Sequence, residues 1–283
     1  MSRLPAMWTT IAAIAVAGVI GLYASGRTLV PMGLVRFTVM LAALVGISIF
    51  YRRTRRSARI ADAAEACGQL IAFTAAASIL SYAVTATAAP ALDAAFARAD
   101  LAIGFEWARW TAAVRARPLL SRALFVAYES LLPQMIGLTL ISGLFSRRRA
   151  EVFLWAVVVS GLITIVLSGF FPALGNDPEA PHAPHFIALR AGGLPHMDLA
   201  DSYGLISFPS YHTVLAILLG WGARPQGHVR LRPVFAASCI VNGAMVVSVL
   251  SEGGHYLVDA IAGAAIAAVT IVLVERWDRG RPR

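Results

Sequence analysis

Long apolar stretches, separated by short arginine-rich or polar segments, dominate this chain. A membrane-spanning helix needs about 20 mainly apolar residues, and by this criterion the pattern predicts eight spans, of which the sixth and seventh are short. The predicted spans cover residues 7–23, 31–50, 63–87, 119–145, 152–171, 208–223, 234–250 and 254–275. The pattern therefore predicts an all-α, polytopic transmembrane helix bundle.

The first predicted span has a second interpretation as a signal peptide. Arg3 precedes its apolar core, and Ala24-Ser25-Gly26 resembles a cleavage site. We favour a retained helix, and the topology predicted for the rest of the chain is the same in both interpretations.

The composition supports a membrane protein. The chain is 58% hydrophobic and 14% charged, whereas soluble domains are about 25% charged. Its net charge of +9 comes from arginine alone, because the chain has no lysine. Such a charge also occurs in nucleic-acid-binding proteins, but these arginines lie between apolar spans. We therefore expect the lipid bilayer as a partner and no nucleic acid. Cys67 and Cys239 lack metal-type spacing and are predicted to be free thiols.

Arginine clusters predict the orientation of the spans. They follow the second, fourth, sixth and eighth spans, so alternating spans place all of them on one side. Cytoplasmic loops carry an excess of arginine, which predicts a bacterial cytoplasmic membrane protein with the longer loops 88–118 and 172–207 outside. The clusters are Arg52, Arg53, Arg55, Arg56 and Arg59; Arg147, Arg148 and Arg149; Arg224, Arg230 and Arg232; and Arg276, Arg279, Arg281 and Arg283.

Two histidines and one aspartate stand at predicted helix starts on the outer side. His255 and Asp259 are four residues apart, which predicts that they share one face in the first turn of a helix. Asp259 can then hold one ring nitrogen of His255 and leave the other free. His212 stands where another apolar helix begins. These residues predict one catalytic site at the outer membrane face.

The sequence around these residues resembles the type-2 phosphatidic acid phosphatase superfamily. The resemblance rests on Pro209-Ser210-Tyr211-His212 and Gly254-His255-Tyr256-x-x-Asp259-x-x-x-Gly263, and it extends over about residues 93–275. Within the superfamily, the chain is similar to the branch of inositol phosphorylceramide synthase and sphingomyelin synthase. The resemblance implies a core of six helices and an activity without metal or other cofactor. We accordingly divide the chain into N-terminal transmembrane helices (1–60), a catalytic transmembrane domain (61–276) and an arginine-rich cytoplasmic tail (277–283).

The chain departs from the phosphatase branch of that superfamily in three motifs. The Lys-x6-Arg-Pro motif is absent, because the chain has no lysine. Tyr211 replaces the glycine of Pro-Ser-Gly-His, and Val249 replaces the arginine of Ser-Arg-x5-His-x3-Asp. The cationic phosphate clamp is therefore missing or rebuilt. This favours transfer of a phospho-headgroup over release of phosphate.

The resemblance and the residue chemistry together imply a phosphohistidine mechanism. His255 is the predicted nucleophile, oriented by Asp259, and His212 is the predicted general acid and base. The free N–H groups of the helix that begins near Pro209 are expected to bind the phosphate. The resemblance implies a phospholipid or lipid-phosphate donor and, as acceptor, a lipid or polyol hydroxyl or water. The predicted phosphate-binding side chains are Ser210, Tyr211, Arg190 and Arg117.

Several alternatives stay open. The protein is alternatively a simple lipid-phosphate phosphatase, a lipid transporter or a non-catalytic membrane scaffold. A transporter is expected to show broken mid-membrane helices and an inverted repeat, and the sequence indicates neither. His182 and His185 are close enough in sequence to share a metal ion, but no acidic or cysteine partner has suitable spacing. We therefore predict no metal site.

Overall fold

The structure is a computed structural model, and it describes residues 4–54, 56–87, 89–177, 179–180, 182–199, 204–225 and 232–281. Within these ranges the chain forms an all-α bundle of twelve helices with one pair of two-residue parallel strands. The elements are α1 (Leu4–Ala24), β1 (Thr28–Leu29), α2 (Pro31–Arg53), α3 (Ala58–Thr85), α4 (Asp93–Ala102), α5 (Trp107–Arg115), α6 (Pro118–Glu129), α7 (Leu131–Phe145), α8 (Arg147–Phe170), α9 (Ala183–Arg190), β2 (His196–Met197), α10 (Tyr211–Gly222), α11 (Arg232–Ser248) and α12 (Leu257–Arg279).

Every predicted span coincides with an apolar helix or a pair of helices. By length and composition, α1, α2, α3, α8 and α12 are able to cross a membrane. Helices α6 and α7 together form a sixth candidate span, and the shorter apolar helices α10 and α11 complete the set. The chain is thus the predicted polytopic bundle. The proposed domain boundaries at residues 60 and 276 stay predictions.

The fourth predicted span is broken, which the sequence analysis did not anticipate. Helices α6 and α7 meet at an angle of 44°, between Glu129 and Leu131. Pro133 explains this bend, because it has no N–H to donate to the carbonyl of Glu129 and its ring crowds that carbonyl. Glu129, which the hydropathy pattern placed well inside the span, therefore lies at the break and is exposed.

Ion pairs bring the arginine-rich helix ends together at one end of the bundle. Arg52, near the end of α2, lies 2.7 Å from Asp62 near the start of α3, and Arg147 of α8 lies 3.7 Å from the same carboxylate. Arg148 of α8 pairs at 2.8 Å with Asp278 at the end of α12. The clusters therefore share one end, as alternating spans require. Three arginines of these clusters fall outside the described residues: Arg55, Arg230 and Arg283.

Helices α3, α8 and α10 form the centre of the bundle. Helix α3 packs against α1, α2, α7 and α8, while α10 packs against α7, α8, α11 and α12. Phe153, Leu154 and Leu218 are among the largest fully buried side chains in this region. Because lipid tails are as apolar as these side chains, close van der Waals packing holds such a bundle together.

Helices α10 and α12 approach each other closely where Gly263 faces the start of α10. A Cβ atom at position 263 would lie 2.5 Å from the Ser210 carbonyl oxygen and 3.1 Å from Thr213 Cβ. Both distances are shorter than ordinary contacts, and the first neighbour is backbone. Only glycine therefore allows the observed approach of the two helices.

We expect Gly263→Ala to lower the free energy of unfolding by about 1–3 kcal/mol, as overpacking does. Gly220→Ala in α10 is the matched control, because a Cβ there meets nothing within 4 Å. Alanine has the higher helix propensity, so the control should be neutral or more stable by up to about 1 kcal/mol. Thermal unfolding in detergent measures both variants, and equal midpoints would contradict this packing.

Candidate active site

The start of α12 brings His255 and Asp259 together, although His255 does not belong to the helix. Helix α12 begins at Leu257 with Tyr256 as its N-cap, which corrects the prediction that both residues lie on one helix face. Asp259 Oδ2 accepts a hydrogen bond from the Tyr256 backbone N–H at 3.0 Å, as acidic residues at the third helical position do. The same oxygen lies 3.3 Å from His255 Nδ1. The helix cap therefore places the carboxylate beside the imidazole.

His255 is buried and is held by the backbone that precedes α12. Its side chain is 6% exposed, and its N–H donates to the Val249 carbonyl at 3.2 Å. The preceding Gly254 has a φ of +61°, a conformation that side chains disfavour. When Nδ1–H donates to Asp259, Nε2 carries the lone pair. Within the described residues Nε2 has no hydrogen-bond partner, so the ring presents a free nucleophilic nitrogen.

His212 is the second residue of α10 and lies next to His255. The centroids of the two rings are 6.5 Å apart, and their planes are inclined by 57°. The His212 ring also stacks on Tyr128 of α6, with centroids 4.5 Å apart. Because the α6–α7 bend directly follows Tyr128, the broken span contributes to the site. The structure thus brings both histidines and Asp259 together at the end of the bundle opposite the arginine clusters.

The N-terminus of α10 provides N–H donors beside the histidines. The helix begins at Tyr211, two residues after the predicted start at Pro209. Ser210 is the N-cap, and its Oγ accepts hydrogen bonds from the N–H and the hydroxyl of Thr213, at 3.3 and 3.1 Å. In the described part of the chain, the N–H groups of Tyr211 and His212 have no acceptor. These N–H groups can bind an anion, whereas a phosphate contact of the Ser210 hydroxyl stays a prediction.

Three side chains predicted to bind phosphate have other partners in the structure. The Tyr211 hydroxyl donates to the Val157 carbonyl in α8 at 2.9 Å. Arg190 donates to the Ala89 carbonyl, and Arg117 is exposed and donates to a carbonyl of α5. The structure does not bring these three side chains into contact with the histidines. Among the described residues, no arginine forms an ion pair or hydrogen bond with His212, His255 or Asp259.

Ser207 is a site residue that the sequence analysis did not identify. Its hydroxyl donates to Asp259 Oδ2 at 2.8 Å. Three donors therefore surround this oxygen: the Ser207 hydroxyl, the Tyr256 N–H and His255 Nδ1. Asp259 is fully buried, and these donors replace the water that Oδ2 would otherwise bind. Among the described residues Oδ1 has no hydrogen-bond partner.

Asp100, in α4, caps α12 from outside the helix and was also not predicted. Its Oδ2 accepts from the Leu257 N–H at 2.8 Å, and its Oδ1 accepts from the Val258 N–H at 3.0 Å. Burial raises the pKa of Asp100, and these two N–H donors oppose the rise. Asp100 therefore fixes the first turn of α12, which carries Asp259. Asp100 lies seven residues after Asp93, so both carboxylates share one face of α4. This spacing was the sequence signal that could have identified Asp100.

Asp93 connects the loop after α8 to the same region. Its Oδ1 accepts from the backbone N–H groups of Leu174 and Gly175, both at 3.0 Å. The Tyr256 hydroxyl donates to the same oxygen at 3.1 Å. Burial and the Asp93 carboxylate raise the pKa of Tyr256, so its hydroxyl stays a donor. Asp93 thus joins the start of α4, the loop and the residue that precedes α12.

The histidines considered as an alternative metal pair have separate partners. His182 Nε2 lies 3.2 Å from the Leu174 carbonyl oxygen, and His185 Nε2 lies 2.8 Å from the Tyr82 hydroxyl. Burial lowers the pKa of His185, which favours its neutral form. Across the described ranges, no cluster of three or more histidine, cysteine or acidic residues is arranged to hold a metal ion.

We expect Asp100→Ala to lower the free energy of unfolding by about 1–3 kcal/mol, because it leaves two N–H groups of α12 without acceptors. Denaturant or thermal unfolding in detergent measures this change. Glu106→Ala is the control, since Glu106 is exposed and makes only an exposed ion pair with Arg109. An equal effect of the two substitutions would contradict the capping role of Asp100.

Comparison with known proteins identifies the family. The family model described as PAP2 superfamily matches residues 94–273. A search of curated proteins and a search of solved structures each found no match. The matched segment is more than half of the chain and contains His212, His255 and Asp259. The chain therefore belongs to the PAP2 superfamily.

Proposed function

We propose that the protein transfers a phospho-headgroup from a lipid donor to a lipid or polyol hydroxyl, through a covalent intermediate on His255. Membership of the PAP2 superfamily indicates a lipid phosphatase or phosphotransferase in a membrane. The observation that carries the proposal is the His255–Asp259 pair, with His212 at 6.5 Å between ring centroids. One nucleophile, its orienting carboxylate and one proton donor are the minimum set for this reaction.

In the first step, His255 Nε2 attacks the phosphorus atom of the donor. The N–P bond forms, the P–O bond to the leaving alcohol breaks, and protonated His212 gives its proton to the departing oxygen. In the second step, neutral His212 takes a proton from the acceptor hydroxyl as its oxygen attacks phosphorus. The N–P bond then breaks, which restores His255 and leaves His212 protonated for the next turnover.

Asp259 stabilises the positive charge that develops on His255 during the first step. Its Oδ2 lies 3.3 Å from His255 Nδ1, so the carboxylate fixes the ring tautomer and faces the imidazolium. Ser207 donates to the same oxygen at 2.8 Å and holds the carboxylate in place. Loss of a carboxylate with this role costs about 10⁴-fold in kcat in the Ser-His-Asp enzymes.

The N–H groups of Tyr211 and His212 are the proposed phosphate-binding donors. They lie in the first turn of α10, where unpaired donors and the helix dipole favour an anion. They can bind the non-bridging oxygens of the phosphate, whose charge must be stabilised during transfer.

Two substitutions relative to the phosphatase motifs support transfer over hydrolysis. The Tyr211 hydroxyl donates a hydrogen bond to the Val157 carbonyl oxygen in α8. Val249 is fully buried and packs in an apolar cluster with partly buried Phe105 and Trp110. An apolar contact therefore occupies the position where the phosphatase motif has arginine. A phosphodiester donor carries less charge than a phosphomonoester and depends less on that cation, which favours the inositolphosphotransferase-like reaction.

The alternatives differ in what they predict for the bend between α6 and α7. A transporter uses a broken helix to bind substrate near the middle of the membrane. Here Tyr128, next to the bend, stacks on His212 at 4.5 Å. The bend that Pro133 causes thus lies beside the histidine site, which supports the enzyme. Simple hydrolysis of a lipid phosphate stays the second candidate, because the same residues can activate water.

We expect the two histidines to differ in their response to the leaving group. His255→Ala should abolish turnover of every donor, because no N–P bond can form. The turnover rate of His212→Ala with a natural lipid should be about 10²–10⁴-fold lower, as expected on removing a general acid. With an aryl phosphodiester, whose leaving group needs no proton, His212→Ala should still release one equivalent of phenol in a burst.

Stopped-flow absorbance of the phenol and mass spectrometry of the lipid products measure these effects. His196→Ala is the control, because His196 is exposed and bonds Thr28 in the strand pair. A burst from His255→Ala together with none from His212→Ala would reverse the two roles. A product that contains the acceptor hydroxyl distinguishes transfer from hydrolysis.

We also propose that the histidine site faces the extracytoplasmic side, because the arginine clusters lie at the opposite end of the bundle. In a protein without Cys67 and Cys239, a cysteine at exposed Glu106 should react with an impermeant maleimide in intact cells. A cysteine at exposed Arg59 should react only after permeabilisation. The reverse labelling pattern would contradict this orientation.

A further inference from the structure

A cavity of about 400 Å³ lies at the end of the bundle opposite the histidines, between α8, α10 and α12. Among the described residues, its walls contain Arg148, Arg149, Arg224 and Arg279 and two carboxylates, Glu275 and Asp278. This cavity and the histidine site lie at opposite ends of α12. Asp259 and Glu275 are 16 residues apart on this helix, or about 24 Å at 1.5 Å per residue. The cavity is therefore a second, distinct site.

The cations of the cavity exceed its anions. Arg148 pairs with Asp278 at 2.8 Å, and Arg224 pairs with Glu275 at 2.8 Å. In the part of the chain that the structure describes, Arg149 has no carboxylate partner, and its Nη2 donates to the Arg224 carbonyl oxygen at 2.6 Å. Within the described residues Arg279 has no ion pair. Four described arginines thus face two described carboxylates in this cavity.

The start of α8 adds donors to the same walls. Ser146, the N-cap of α8, lines the cavity, and its Oγ accepts from the Arg149 N–H at 3.4 Å. The first turn of a helix presents unpaired N–H groups and the positive end of the dipole. Guanidinium groups and helix N–H groups together are suited to phosphate oxygens.

An apolar groove adjoins the cavity, and it favours a lipid phosphate over free phosphate as the ligand. The groove, of about 360 Å³, lies between α10 and α11 and shares Trp221 and Arg224 with the cavity. Phe235 and Val246 are among its lining residues, and α11 exposes Ile240 as a lipid-facing helix does. A free phosphate has no part that fits such a groove, whereas an acyl chain does.

We propose that this end of the bundle binds an anionic phospholipid, with its phosphate in the arginine cavity and one acyl chain in the groove between α10 and α11. The charge excess selects an anionic headgroup over a zwitterionic one. The shared residues Trp221 and Arg224 lie at the junction of headgroup and chain. The bound lipid connects α8, α10, α11 and α12 far from the histidines, and this assignment does not depend on the reaction at His255.

Native mass spectrometry of the full chain, with phosphatidylglycerol or phosphatidylcholine of the same acyl chains, tests the proposal. We expect one phosphatidylglycerol to be retained at least about tenfold more tightly than phosphatidylcholine, as charge-assisted contacts imply. Arg149→Gln with Arg279→Gln should remove most of this preference. Arg59→Gln, an exposed arginine near the start of α3, should keep it. Equal retention of the two lipids, or no difference between these variants, would overturn the proposal.

A second pair of variants tests the groove without touching charge. Gly243 lines the groove, and a Cβ there meets nothing within 4 Å, so Gly243→Leu places its side chain in the groove. Gly46→Leu in α2 is the matched control, again with nothing within 4 Å. Gly243→Leu should weaken the binding of phosphatidylglycerol but not that of inorganic phosphate, whereas Gly46→Leu should leave both unchanged. If inorganic phosphate bound as tightly as the lipid, the acyl chain would contribute nothing to binding. That result would overturn the lipid assignment.

Discussion

The buried carboxylate of Asp259 is the group on which the site depends. Its Oδ2 accepts from the Ser207 hydroxyl, the Tyr256 N–H and His255 Nδ1. A carboxylate fully removed from solvent is costly unless donors replace the lost water. These three donors come from the loop before α10, the N-cap of α12 and the histidine. Because His255 and Tyr256 are adjacent in the sequence, the need to satisfy this one anion fixes the loop before α10 relative to the start of α12.

The same region is held by a second layer of carboxylates. Asp100 binds the first N–H groups of α12, and Asp93 binds Tyr256 and the loop after α8. Trp107, the first residue of α5, donates its indole N–H to the Leu250 carbonyl oxygen at 2.8 Å. The segments around α4 and α5 therefore position the nucleophile. This explains why a polar, aspartate-containing stretch lies between apolar spans.

Much of the architecture was predictable from the sequence, because hydropathy reports span length directly. The all-α polytopic bundle and the shared end of the arginine clusters follow from that pattern and were confirmed, with five candidate spans, a sixth formed by the bent pair α6–α7, and two shorter apolar helices. The bend after Glu129 was missed because Pro133 lies in an otherwise continuous apolar segment. The pairing of His255 with Asp259 was predicted through a helix face, whereas the structure achieves it through a helix cap. Arg190 and Arg117 were chosen by their charge and loop position, and neither property determines where a long side chain finds its acceptor.

Identification of the covalent intermediate is the most direct test of the central claim. The protein is incubated with a phosphodiester donor, quenched in base, which preserves a phosphohistidine, and digested for mass spectrometry. The account predicts a modification that is stable in base and labile in acid, on the peptide that contains His255 and not on the one that contains His212. A modification on His212 or Ser210, or turnover by His255→Ala equal to that of the unmodified protein, would contradict it.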